Sequence, residues 1–194
     1  MISRVGVSGW YRSRFVWIEV CLLAASIGVA AVFTSTTPRT DPAELDQQIL
    51  ARMRTTLEQA DPAQHRHAGH TAPQAPAGEQ AAPAIVCGVH VYGHEPTGAA
   101  TLADVRTVYG FHLCGVAEQK RQWDGAVKLV GPVIMDMTTQ PPGITVVEAT
   151  ADVRFVDRLR EMFPDKYEEL ALREALPASE MADLRRRYDA AAGL

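Results

Sequence analysis

Cysteine is scarce in this chain, with three residues in 194, too few for a scaffold that replaces a core with cross-links. Positive charge is scarce too once the first 33 residues are set aside. That stretch holds Arg4, Arg12 and Arg14 against one acid, Glu19, and leaves 16 basic and 22 acidic side chains in the remainder, a formal charge of −6. A mildly acidic body is a poor match for nucleic acid, whose phosphates are bound through clustered Lys and Arg. The densest basic run, Arg185-Arg186-Arg187, falls on a helical pattern and reads as a solvated face. The recognised catalytic signatures are also missing: there is no phosphate-cradling glycine loop, G-x-S-x-G elbow, H-E-x-x-H helix or calcium loop. No cofactor is implied.

What is present is one long apolar run. Residues 15–33, FVWIEVCLLAASIGVAAVF, carry a single charge, Glu19, one turn inside the start. At about 1.5 Å per residue such a helix reaches roughly 28 Å, the thickness of a bilayer's hydrocarbon core. Trp10, Tyr11 and Trp17 gather at the same end, where aromatic side chains favour a membrane surface. The arginines before the run outweigh the mixed charges after it, so residues 1–14 are expected to be a cytoplasmic basic tail and the rest extracytoplasmic. The alternative is a secretory signal peptide cut after Ala30, since Gly28 and Ala30 are small at the required positions; Val32 and Phe33 continue the apolar run past that point. Lipoprotein processing is not expected, because Cys21 lies inside the run, behind Glu19 and Val20. The Ala-, Arg- and Val-rich texture is bacterial in character.

In an exported body the remaining pair, Cys87 and Cys114, reads as a disulfide. Closing that loop would contribute roughly 3–4 kcal/mol through the unfolded chain. The pair alone is too small a ligand set for zinc.

Residues 34–60 contain an amphipathic helix. Asp41 caps it, Pro42 opens it, and Leu45, Ile49, Met53 and Leu57 form a narrow stripe. It is expected to be membrane-proximal, folded back on the body, lying on lipid or pairing with a second helix. Residues 61–83 lack large apolar side chains and read as a flexible tether. His65, His67 and His70 lie within it and are weak candidates for zinc or copper capture.

Residues 84–194 read as a small α+β domain in the order β–α–β–β–α–α–α, a mainly antiparallel sheet with three C-terminal helices packed on one side. Ile85 to Tyr92 alternate as a strand. Thr101 and Asp104 begin a helix through Leu102, Val105, Tyr109, Leu113 and Val116; the alternative is a break at Gly110 with FHLCGV, residues 111–116, extended. Residues 126–137 form a strand whose Val127, Leu129, Val133, Met135 and Met137 share a face, with Pro132 marking an edge or bulge. A turn at Pro141-Pro142-Gly143 leads to a hairpin partner. Three helices follow, carrying Leu159 and Phe163, then Tyr167 and Leu170, then Leu184 and Tyr188; Ser179 caps the last and Gly193 stops it.

The side chains able to do chemistry are Cys87, Cys114, His90, His94, His112, Asp104 and Asp124, from which a Cys–His hydrolase could be assembled on paper; Trp123 and Asp124 could equally form a binding hot spot or anchor a loop. Taken together these features point to an anchored, non-catalytic binding or assembly module with the membrane and an envelope protein as partners. The alternatives are an enzyme or redox protein using Cys87 and Cys114, and metal capture by the linker histidines.

Overall fold

The computed structural model describes residues 40–60 and 83–194. The basic tail 1–14, the apolar run 15–33 and His65, His67 and His70 lie outside these described residues. Among the described residues no helix is long and apolar enough to cross a membrane.

Eight main elements make up one compact unit that begins at Thr40. Helix α1 (Pro42–Gln59) leads into strands β1 (Ala84–Glu95), β2 (Thr107–Ala117), β3 (Lys128–Asp136) and β4 (Gly143–Val146), followed by helices α2 (Phe155–Met162), α3 (Asp165–Ala171) and α4 (Ala178–Ala192). The sheet is an antiparallel meander in the order β1-β2-β3-β4. The α+β class stands, and two features of the expected order change.

The helix expected from Thr101 is a single 3-10 turn, Leu102–Asp104, after which the chain becomes β2. The Thr101–Asp104 capping pair is real, but it closes only that turn. Beyond it, Thr107, Val108 and Val116 are β-branched, Tyr109 and Phe111 aromatic, and Gly110 and Gly115 poor helix formers, a composition that fits a pleated surface. Burial along β2 alternates accordingly. Gly110 is needed for a second reason. A Cβ there would stand 2.5 Å from the His90 carbonyl and 3.0 Å from Met53 Cε, so its absence lets α1 settle on the strands.

The second change concerns the layers: the three C-terminal helices share one face of the sheet, as the sequence predicts, and α1 covers the other. Cys87, Val89, Val108, Cys114, Val133 and Met135 pack under α1 and receive its stripe of Leu45, Ile49, Met53 and Leu57, all at 5% exposure or less. On the opposite face α4 brings Leu184, Tyr188 and Ala192 onto Val86, Ala117 and Trp123. Beside it α2 and α3 bring Leu159, Phe163 and Tyr167 onto Tyr92, Tyr109 and Ile134. Helix α1 is therefore part of the core. Residues 61–83 run between α1 and β1, two elements of one unit. Val127, expected to face inward with Leu129, is 54% exposed just before β3 begins. Ser179 is not the cap of α4: Pro177 holds that position. Gly193 ends α4 with φ 71°, the left-handed conformation that glycine adopts without a Cβ penalty.

The outer edge of β1 is sealed by side chains. Cys87 and Val89 point their N–H groups away from β2. The Cys87 N–H donates to Glu58 Oε1 (2.9 Å) and the Val89 N–H to Glu180 Oε1 (3.4 Å), while the Cys87 carbonyl accepts from Arg187 (2.7 Å). Those side chains also hold one another: Arg187 reaches Glu58 (2.8 Å) and Asp183 (2.7 Å), and Arg54 pairs with Glu180. Burial works against the Arg187 cation, and its bonds to Asp183 and Glu58 outweigh this and raise its pKa. The bond from Arg187 in turn holds the Asp183 carboxyl below its usual pKa.

Truncating Ile49 to Ala should cost about 3 kcal/mol, within the range for a fully buried aliphatic side chain, read as a lower denaturation midpoint. A fragment starting at residue 84 should expose the Cys87–Cys114 face, bind a hydrophobic dye and aggregate. Because the folded pKa of Asp183 is depressed, its contribution is present above the unfolded value of about 3.9 and is lost as pH falls through the folded value. Asp183→Asn should therefore flatten the acid limb of the stability profile below about pH 4. Asp136 and Asp157, also depressed by hydrogen bonds from Thr138 and Arg154, keep the remainder of that limb.

Candidate functional site

The sequence offered its reactive side chains as one group, and the sheet distributes them. Cys87 and Cys114 stand directly opposite each other on β1 and β2 and are joined by a disulfide. Adjacent antiparallel strands bring the two Cβ atoms of such a pair close enough for the bond. The sequence reading had Cys114 on the end of a helix; the pairing is right, and the element that carries it is a strand. At 0% and 1% exposure the two residues lie beneath α1, where an attacking thiolate would first have to displace the helix.

His112 shares that face two residues from Cys114 and is fully buried, with Nδ1 placed 2.9 Å from the Gly131 carbonyl. His90 is on the opposite face. Its Nε2 lies 3.0 Å from a Glu174 carboxylate oxygen, and its ring meets Tyr92 edge-on at 5.4 Å. The Tyr92 hydroxyl donates to the Glu174 carbonyl (2.6 Å), and burial, then the Glu174 charge, push its pKa upward. His94 turns back onto the Pro96 carbonyl of its own loop (3.1 Å). Asp104 is engaged with Thr101, and Asp124 is a surface acid 3.8 Å from Arg185. The sulfur pair and His112 are thus on one side of the sheet and His90 on the other, while His94 lies at the end of β1 and Asp104 and Asp124 sit in the two 3-10 turns. The paper hydrolase is not assembled, because the sulfur that would attack is bonded to the other cysteine.

Glu174, Glu58 and Arg187 are the residues that sequence reading missed. Each acts on a group far away in the chain: Glu174 on His90, Glu58 and Arg187 on Cys87. No local spacing could have signalled those contacts.

Two surface features remain. A shallow cleft of about 240 Å³ opens between the last turns of α1 and the β3–β4 turn, lined by Arg52, Thr56, Gln59, Gln140, Pro141 and Ile144; it offers one cation and two amides. Around the 3-10 turn Trp123–Gly125, the Trp123 indole is 7% exposed. Lys128 stands 5.0 Å and Arg185 5.9 Å from its ring centroid, within cation–π range. Trp123 therefore anchors a loop and arranges two cations rather than presenting its own face.

In the native protein, a thiol reagent should find neither Cys87 nor Cys114, and dithiothreitol should reduce the pair only once denaturant loosens α1. Replacing both with Ala should lower stability by about 3 kcal/mol, measured by chemical denaturation. No family model, curated protein or solved structure matches the chain.

Proposed function

We propose that this is a membrane-anchored, extracytoplasmic binding or assembly module of the cell envelope that catalyses no reaction of its own. The observation that carries the reading is the use to which the reactive side chains are put. Both body cysteines are consumed in a buried cross-link, His90 is tied to Glu174 and His94 to its own turn. A disulfide of this kind suits an oxidising compartment, and the apolar run 15–33 supplies a route to one. The redox alternative would need a thiol poised at the surface, and the sulfur pair sits beneath α1. Metal capture by His65, His67 and His70 is a separate property of the 61–83 connection and requires nothing of the folded body. Since α1 belongs to that body, the residues between the apolar run and the fold are 34–39 and not the longer 61–83 connection.

A reporter enzyme active only outside the cytosol, fused after Leu194, should be active, and the full chain should stay with the membrane through alkaline extraction and leave it in detergent. Release without detergent would favour the cut after Ala30. An active cytosolic reporter, or robust turnover by the purified protein that one substitution abolishes, would sink the proposal.

A further inference from the structure

The two edges of the sheet are finished differently. In β3 the odd-numbered residues bond to β2, a set bracketed by the bonds from Val116 N–H to the Val127 carbonyl and from Met137 N–H to the Arg106 carbonyl. By alternation Lys128, Val130, Pro132 and Ile134 turn their main-chain groups to the other side. Strand β4 fills that side only along 133–136, and its row ends where Val147 N–H donates to the Pro132 carbonyl. Among the described residues, nothing pairs with the main-chain groups of Lys128 and Val130 on that row. Val127 and Val130 are 54% and 58% exposed. On the same row is Lys128, over Trp123, while the neighbouring Arg185 already pairs with Asp124 (3.8 Å) and Arg121 with Glu118 (3.0 Å), so Lys128 is the cation on which the charge argument rests. Lys128 Nζ takes main-chain carbonyls of Asp124 and Ala126 and the indole face as its partners, and among the described residues no carboxylate pairs with it.

We infer that an extended, acidic segment of a partner polypeptide adds as a strand to the outer row of β3 at Lys128 and Val130. This rests on the binding-module reading and gives that module its contact surface. The free N–H and C=O groups supply the pairing, as in strand addition to other sheet edges. Residues of the incoming strand opposite Lys128 and Val130 fall on one face, two positions apart, so the matching pattern is an apolar residue, any residue, then an acid for an antiparallel approach. The charge on this row selects against a second copy of the chain. An isologous pairing centred on residue 129 sets each Lys128 opposite the other copy's Val130 and gathers two like charges on one small patch. The few residues free below Pro132 would also bury far less than the roughly 1,200 Å² of a stable interface. A flexible acidic strand meets neither obstacle.

The probe is a fluorescein-labelled peptide, Thr-Thr-Val-Thr-Glu-Thr-Thr, titrated by anisotropy against the full chain in detergent. Saturable binding below about 1 mM is expected, at least tenfold weaker when the peptide Glu is replaced by Lys or its central amides are N-methylated. Lys128→Glu should reverse the preference between the two peptides. Val130→Pro removes an outward N–H at an edge, where proline is tolerated, and should abolish binding with the thermal transition unchanged; if that variant misfolds, the charge reversal decides. Absence of saturable binding, binding indifferent to both substitutions, or a peptide-independent dimer that Val130→Pro dissolves would each overturn the inference. Turnover in the same preparation would defeat the binding-module reading by itself, whatever the peptide does, so the two failures are distinguishable.

Discussion

The structure depends on the closure of the β1 edge by charged side chains from two helices on opposite faces of the sheet. A strand at an edge exposes unpaired N–H and C=O groups, which invite pairing with other chains and must be satisfied where the edge is covered. Glu58 from α1 and Arg187 and Glu180 from α4 meet those groups at Cys87 and Val89. Because the same side chains bond to one another and to Arg54 and Asp183, the seal also clamps the helices together around the edge. Each of the five is between 17% and 30% exposed. At that depth the charges keep part of their hydration, and the desolvation cost that makes fully buried pairs unfavourable is reduced.

That clamp places α1 over the Cys87–Cys114 bond, and chemistry follows from packing. A vicinal pair of cysteines on exposed strands could exchange with a passing thiol. Here Leu45, Ile49, Met53 and Leu57 lie across the same face, so the sulfur bond acts as a cross-link between the first two strands. The covered edge and the open edge then divide the molecule: β1 is finished from within, whereas among the described residues nothing pairs with the outward main-chain groups of Lys128 and Val130, and Val127 and Val130 are exposed. Lys128 and Pro132 on that row are of the kinds of residue that discourage indiscriminate edge pairing, which leaves room for a selective partner.

Much of the fold was legible locally. Helix α1, strand β1, the β3–β4 hairpin and the three closing helices follow from periodicity and turn chemistry, and the cysteine pairing followed from parity in a chain with few alternatives. Strand β2 was misread because Leu102, Val105, Tyr109, Leu113 and Val116 fit a helical stripe as well as alternation fits a strand. A short window carrying both periods is settled by its neighbours: β1 and β3 flank β2 and supply ladder partners on both sides. The surface that α1 covers was left open for a related reason. The stripe of α1 shows that it packs on something, but period alone does not name the surface.

Of the candidate site, sequence supplied the residue types and the tertiary structure their use. By itself the sequence determined which segments could form helices and strands, that two cysteines were available to pair, and that one apolar run was long enough to span lipid, because these are properties of adjacent residues and of composition. Only the folded chain decided that α1 belongs to the core, that Glu58 and Arg187 close an edge, that His90 and His112 stand on opposite faces, and which row of β3 stays open. Those outcomes depend on contacts between residues tens of positions apart, whose register is set when the sheet assembles and the helices find the faces left for them.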